Sequence, residues 1–490
     1  MNRAHRYLVA WSVVATLSLV PGLAFSQQGR VRAMGGLTLA LHDSDYTLNP
    51  YDFAGNPAWL IEDERTSWLK FLPAAGGEWG DLHRRYDPGS VVTFGAAFDG
   101  VKTLDEKGTF RGMASYDVET RRDVYRSLKR QPYGGEAFFV TDTMTGNFTY
   151  AGPTVRFLYS YEPFSGIAVG ASVRYQIQKG LKDTYSRVSS LYRDLQARLG
   201  ATIKAGDAWV FGATIEPWDN QESMEAKSEE SFEVELFNYR GDTFATRQRG
   251  SSIDHKVRKK GVDFTGEAFY RPGDGVEVGL LGSYGKGRTQ ILVPKATEEE
   301  AEEGIAPSRR WNARLQGRFD CADGVTLGGM LRLGSTRSWS EHSALGLLLW
   351  DWSINEIGAG VGVTARVLPG LLAGLEFEFV RTTFDSLKYI DGNYRSDHPS
   401  QYHLRCGVEY AATDAILLRL GGLYRTAGVD LTTGVLQLDG FGVTAGAGAR
   451  FTPTILLDFF IEYGSAAPRN AAGLHRAHTA GGLQLTLLSP

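Results

Sequence analysis

Cysteine is almost missing from this chain of 490 residues: only Cys321 and Cys406 occur, so no disulfide framework can organise it. Cys406 lies in phase with Leu404 and Val408, several expected strands away from Cys321, and we expect both thiols to be free. Beyond residue 26 no apolar run approaches the roughly 20 residues of a membrane-spanning helix. Any membrane crossing must then be made by strands, and only a closed barrel pairs every backbone group of such strands inside lipid. An excess of basic charge is missing as well. Lys and Arg number 52 against 56 Asp and Glu, a formal net charge of −4 that speaks against nucleic acid as a partner. Enzyme signatures are absent: there is no G-x-S-x-G elbow, H-E-x-x-H zinc motif, C-x-x-C pair or Walker loop. We expect no enzyme, no metal centre and no cofactor. His475 and His478, three positions apart, would point to opposite faces of a strand and could not share a metal.

The first residues form a targeting segment. Arg3 and Arg6 precede the mainly apolar stretch Leu8 to Val20, and the small-x-small site Ala24-Phe25-Ser26 follows. We expect residues 1–26 to be a cleaved signal peptide; its removal takes away two arginines and no carboxylate, leaving a net charge of −6. Glycine is abundant, at 59 residues, well above the usual share of roughly 7%. Aromatic residues reach 12%, a pairing that suits bent, closely packed strands with aromatic rims.

Alternation of period two carries the fold assignment, because successive side chains of a strand point to opposite faces. Ile357, Ala359, Val361, Val363, Ala365 and Val367 form one apolar face, with Gly358, Gly360, Gly362, Thr364 and Arg366 between them. This glycine series resembles a dinucleotide loop only superficially, since it alternates strictly and no helix follows. After the tight turn Pro369-Gly370, Leu371, Ala373, Leu375, Phe377 and Phe379 repeat the pattern. The same strand, turn and strand unit recurs seven times, with turns near 163–166, 205–207, 272–275, 322–324, 369–370, 412–414 and 452–454. Longer polar connections lie between the units, and such asymmetry belongs to outer-membrane barrels with short periplasmic turns. Seven hairpins, a closing strand through Gly473 to Leu488 and an opening partner from the region 66–142 give sixteen strands, within a range of 14–18. That region holds several candidate partners, among them Val91 to Phe98 and Ala137 to Thr141.

Two connections are strongly acidic. One, from Asp219 to Lys256, carries Glu222, Glu225, Glu229, Glu230, Glu233 and Glu235; the other holds Glu298, Glu299, Glu300, Glu302 and Glu303. We read both as solvated outer loops, with a divalent-cation site at the lipopolysaccharide surface as the sharper alternative. The inward phase of the strands is charged: Arg310, Arg314, Arg318, Arg332, Arg366, Glu376, Glu378, Arg405, Glu409, Asp458 and Glu462 would line the lumen. Cross-strand ion pairs that brace the wall are the first expectation for them, and a path for polar solutes the second.

A compact motif stands near the mature N-terminus. Arg32-Ala33-Met34-Gly35-Gly36 leads into the apolar run Leu37 to Leu41, then Asp43 and Asp45, and finally Asn56-Pro57-Ala58. Gly35-Gly36 opens backbone conformations closed to other residues, and Asn56-Pro57 is a turn signal. This opening resembles that of the FadL-like outer-membrane transport proteins and the related PorV-type barrels, and the likeness of motif spans about residues 30–60. The resemblance implies a hatch over residues 27–62 with Arg32, Gly35, Gly36, Asn56, Pro57 and Ala58 as its positions, inside a transmembrane barrel over 63–490. It further implies transport of hydrophobic or amphipathic molecules such as long-chain fatty acids; a docking barrel that anchors exported proteins is the PorV-like alternative. The partners so implied are outer-membrane lipid and lipopolysaccharide, a hydrophobic ligand, and the barrel-assembly machinery. Trp218, Phe237 and Tyr239 are candidates for an apolar pocket near the outer mouth. The chain departs from the pattern at Trp59, where a glycine is usual, and at Leu487-Leu488-Ser489-Pro490, which lacks a terminal aromatic.

Overall fold

The computed structural model describes residues 54–63, 67–228, 233–273, 275–295, 298–430, 434–469 and 473–489. Its main body is a single antiparallel β-barrel. The first strand, Trp68–Trp79, pairs on one side with Ser90–Thr103 and on the other with the last strand, Arg476–Leu488, which closes the sheet. Every other barrel strand pairs with its nearest neighbour in the chain. Asn393–Asp397 and Ser400–Thr413 share one position beside Leu371–Lys388, so the barrel has eighteen strands rather than the favoured sixteen. The two additional strands are Trp68–Trp79 and Gly108–Val124, whose alternation is diluted by Pro73, Gly76, Gly77 and Gly112. Of these candidate partners, Val91 to Phe98 lies in a barrel strand, whereas Phe138–Thr141 belongs to a separate sheet.

All seven expected turns join neighbouring strands at one end of the barrel, and an eighth connects Thr103 to Gly108 there. Gly166, Gly275 and Gly370 occupy turn positions at φ of 79°, 85° and 79°, a region that only glycine enters without strain. We call this the turn end and the opposite one the loop end. Residue 67 and Ser489 also meet at the turn end, where the Ser489 amide donates to the Ser67 carbonyl at 2.8 Å.

The outer face carries an apolar band. Along Trp209–Lys227 the outward series runs Trp209, Phe211, Ala213, Ile215 and Pro217, then changes abruptly to Asp219, Gln221, Ser223 and Glu225. Nine residues at ~3.3 Å each, tilted by ~40°, span roughly 23 Å, which matches the apolar band of roughly 25 Å on transmembrane barrels. Neighbouring strands continue the band with Leu199, Phe264, Leu280, Leu315, Leu331, Val361, Phe377, Val408 and Phe459, all exposed. Exposed apolar surface this continuous is unfavourable in water, and as a belt around a closed barrel it matches a lipid-facing surface. Among the described residues no helix is long and apolar enough to cross a membrane.

Among the described residues, much of the two acidic connections is strand rather than loop. Strands Trp209–Lys227 and Ser252–Gly273 continue past the apolar band toward the loop end, and Glu298–Ala322 includes the second cluster. Beyond the band the outer face turns polar while the inner face mixes Glu222 with Met224 and Ala226, so period-two hydrophobicity is weakened while the ladder persists. Glu222 turns inward, Glu225 pairs with Lys227 at 2.6 Å, and Glu302 pairs with Arg288 at 2.8 Å. Glu229 and Glu230 lie outside the described residues, and of the Glu298 and Glu299 side chains nothing is described. Among the described residues no three His, Cys, Asp or Glu side chains are grouped to hold a metal ion. Cys321 and Cys406 are free and exposed.

Candidate functional site: a lumen occupied at both ends

Residues 54–63 lie inside the barrel near its turn end. Pro57–Trp59 form one turn of 3-10 helix capped by Asn56, whose Oδ1 accepts the Ala58 N–H at 3.0 Å. Proline at the first helical position suits this turn because its missing N–H would have no partner there. The Asn56 amide donates to the Ala201 carbonyl at 3.1 Å and to the Glu267 carboxylate. The Ala58 carbonyl accepts from Ser160 Oγ at 2.9 Å, and Arg198 reaches the Gly55 carbonyl while also pairing with Glu216. Asn56, Pro57, Ala58 and Trp59 are all fully or almost fully buried.

The wall is shaped to receive this turn. A Cβ on Gly170 would lie 2.5 Å from the Ala58 nitrogen and the Pro57 carbonyl carbon, and one on Gly200 would lie 2.0 Å from Asn56 Oδ1. Both glycines face inward on adjacent strands, Ile167–Lys182 and Ser189–Ala205, and together they form a slot. Trp59 is completely buried and meets Phe269 edge-on, with ring centroids 5.0 Å apart. Leu60, Leu158 and Leu281 complete this apolar contact. Trp59 thus anchors the turn to the wall.

Above the turn the inner wall is charged, and the expected lumen residues lie in the inward phase. Arg332 pairs with Glu378 at 3.2 Å, and His403 meets the same carboxylate at 3.3 Å. Arg405 reaches Glu376 at 3.3 Å and Glu378 at 3.7 Å. Arg419, absent from the expected set, lies between Glu409 at 2.7 Å and Asp458 at 2.8 Å. Arg318 pairs with Glu277 at 3.6 Å, Glu462 faces His478 at 3.8 Å, and Arg314 stands opposite Arg332. Arg366 is exposed at the turn end. Glycines sit between the members of several pairs. Gly285 separates Asp263 from Arg310 across three strands, and a Cβ there would lie 1.9 Å from the Asp263 carboxylate. Small residues let these ion pairs lie flat on the wall, so the bracing reading describes most of the charges. Arg310 keeps over half of its side chain accessible although it faces inward, which requires lumenal space beside it.

The loop end is filled by chain from two connections. Phe138–Thr141, Val234–Arg240 and Ala245–Gly250 form a three-stranded antiparallel sheet, with Val234–Arg240 in the middle. One face of this cap presents Phe138, Val140, Val234 and Leu236 to an apolar cluster made with inward wall residues Phe148, Met224, Ile291, Trp350, Trp352 and Phe384. Trp352 Nε1 donates to the Gly135 carbonyl at 2.9 Å, and the Arg130 amide donates to Glu222 at 2.6 Å. Buried ion pairs hold the edges: Lys182 with Asp142 at 2.5 Å, and Glu136 with Lys129 and with Lys259, the latter at 3.2 Å. Burial pushes the Glu136 carboxyl up, but the two ammonium groups outweigh it and hold the pKa down to about 2. Trp218 faces the lumen from the wall beside Gly261 and Gly287, whereas Phe237 and Tyr239 lie half-buried on the cap. The three do not converge on one pocket. Arg32, Gly35 and Gly36 lie outside the described residues, as does the signal segment 1–26.

A barrel of eighteen strands, banded with apolar side chains and occupied internally at both ends, defines a membrane-spanning barrel protein. The chain belongs to DUF6850, a family of unknown function, whose model matches residues 57–324. No curated protein matches it. Among solved structures it is similar to a deltaS2 mutant of the TodX monoaromatic hydrocarbon channel, at 12% identity over 95% of this chain and 98% of that one, with a TM-score of 0.37. A FadL homologue of Pseudomonas aeruginosa is 12% identical over 94% and 97% of the two chains, with a TM-score of 0.35. The ferric citrate transporter FecA in its unliganded form reaches 0.49 at 12% identity, over 82% of this chain and 60% of that one. None of these scores reaches 0.5, and the barrel rests on this chain's own strand pairing.

Proposed function

We propose that this protein is an outer-membrane transport channel for hydrophobic or amphipathic small molecules, and that the N-terminal turn is its hatch. The observation that carries the reading is the docking of Asn56-Pro57-Ala58 in the slot at Gly170 and Gly200. A segment meant to stay fixed could be built into the wall as a strand. This one is instead held by a few side-chain hydrogen bonds and one aromatic contact, an attachment that can be released and remade. The interface beneath the cap supports an apolar ligand, because Phe138, Phe148, Trp350, Trp352 and Phe384 pack together there and would face a ligand if the cap lifted. In this orientation the turn end faces the periplasm and the loop end faces outward. Lipopolysaccharide would then surround the loop-end rim, and the barrel-assembly machinery would insert the chain.

Uptake tests the proposal. Proteoliposomes holding the full barrel should take up a labelled long-chain fatty acid, or a monoaromatic hydrocarbon of the kind named for TodX, faster than empty vesicles. Equal rates for both probes would refute it.

A further inference from the structure

The outward face carries an unusual row of like charges at the loop-end edge of the apolar band. Phe264, Tyr284 and Trp311 stand directly opposite one another on the consecutive strands Ser252–Gly273, Val276–Lys295 and Glu298–Ala322. They form an aromatic row of the sort that marks a membrane interface. One outward position further on, Lys286 is opposite Arg309, and Arg309 is opposite Arg337 on Val325–His342. One position beyond that, Lys260 is opposite Arg288. All five cations are exposed.

Directly opposed side chains have Cβ atoms roughly 5 Å apart, and like charges so placed destabilise a sheet. Carboxylates relieve only part of this. Asp351 pairs with Arg337 at 2.8 Å and Glu302 with Arg288 at 2.8 Å, while Asp219, opposite Lys260, is taken by Arg258. Among the described residues no carboxylate lies within ion-pair distance of Lys260, Lys286 or Arg309. Lys286 instead lies over the Tyr284 ring and Arg309 over the Trp339 ring, with 5.7 and 5.8 Å to the centroids. Many arginines of this barrel are met by carboxylate, whereas Lys260, Lys286 and Arg309 form an outward patch that is open to an anion from outside. The level selects the anion: immediately below lie apolar chains against the aromatic row, and immediately above lies water.

We propose that Lys260, Lys286 and Arg309, flanked by Arg288 and Arg337, bind the phosphate of an outer-leaflet glycolipid whose acyl chains lie along Phe264, Tyr284 and Trp311. This assignment rests on the outer-membrane orientation given above but not on transport. A phosphate provides several acceptor oxygens at one point, which suits a row of donors from adjacent strands. The lipid headgroup and free phosphate share this chemistry and are separated by experiment.

The test uses the full barrel purified in detergent, with melting temperature and native mass spectrometry as readouts. The added probes are lipopolysaccharide, the same lipid stripped of its phosphates, and inorganic phosphate. Intact lipopolysaccharide should bind and raise the melting temperature by several degrees, and the other two probes should not. The double variant Lys286→Gln, Arg309→Gln should bind it roughly thirtyfold more weakly, at about one order of magnitude and a half for two surface cations. Without lipid the variant should melt no lower than the wild type, since it relieves an opposed cation pair. Equal affinity of wild type and variant, equal binding of the dephosphorylated lipid, or a full shift with inorganic phosphate alone would each overturn the proposal. A protein that bound the lipid as expected yet moved no hydrophobic probe would remove the transport reading and leave this one standing.

Discussion

Replacing Asn56 by alanine loosens the N-terminal turn from its wall while leaving every barrel residue in place. The substitution removes a donor to the Ala201 carbonyl at 3.1 Å, a donor to the Glu267 carboxylate, and the acceptor of the Ala58 N–H at 3.0 Å. A neutral hydrogen bond contributes roughly 1 kcal/mol and one to a charged group roughly 1.5 to 3 kcal/mol. Allowing for non-additivity, the docked state loses about 3 kcal/mol, or roughly a hundredfold in the docking equilibrium. The reporter is a cysteine at position 54 in a background with Cys321 and Cys406 replaced by serine, labelled by a maleimide in proteoliposomes. When opening and closing are fast, the labelling rate follows the open population. Asn56→Ala should therefore raise the rate by roughly two orders of magnitude. Gly170→Ala should do the same from the wall side, because its new methyl group meets Pro57 and Ala58 backbone at 2.5 Å. Gly282→Ala, which meets nothing within 4 Å, is the control and should leave the rate unchanged. Wild-type labelling in Asn56→Ala, or the same rise in Gly282→Ala, would refute the docking argument.

Trp59→Ala empties a fully buried aromatic site, a change that costs roughly 3 to 5 kcal/mol in a packed core; the loss should fall on the docked turn, and if that turn gates the lumen as proposed, planar-bilayer recordings should show more frequent openings. Arg419→Met leaves Glu409 and Asp458 without their shared cation, and breaking such a buried pair should lower stability to urea in vesicles by roughly 3 to 5 kcal/mol. The cap should loosen in acid. The Glu136 pKa of about 2 lies below the ordinary value of 4.5, so its contribution is complete above about pH 4.5 and disappears as the pH falls toward 2. Protease cleavage within 125–145 should rise across that window in the wild type and be high and flat over it in Glu136→Gln.

Sequence pattern reveals this barrel where one face meets lipid and the other meets charge. Ile357 to Val367 is the clear instance, and its alternation, its turn at Gly370 and its glycine-lined inner face all stand as read. The pattern fails where that contrast is missing. Trp68–Trp79 carries small or apolar residues in both phases, and residues 219–227 and 298–306 run beyond the lipid band, where a polar outer face and buried Glu222 and Glu303 imitate a loop. Asn56-Pro57-Ala58 announces itself as a local motif. Its receptor does not, because Gly170, Gly200 and Glu267 come from separate strands and only the closed sheet brings them together. The cap was out of reach for a related reason: Phe138–Thr141 is four residues long and pairs with a segment nearly a hundred residues further on.

The seam between Trp68–Trp79 and Arg476–Leu488 has a bearing on how the molecule is made. Every other barrel pairing joins segments that follow one another in the chain and can form by local search, whereas the seam joins its two ends. The wall that receives Asn56 to Trp59 is complete by about residue 281, with two hundred residues still to come. Docking of the N-terminal turn can thus precede closure, and the growing sheet can curl around an occupant already in place. The thirteen residues of the last strand then act as a zip fastener, and a chain truncated before Arg476 should keep its turn docked on an open, curved sheet.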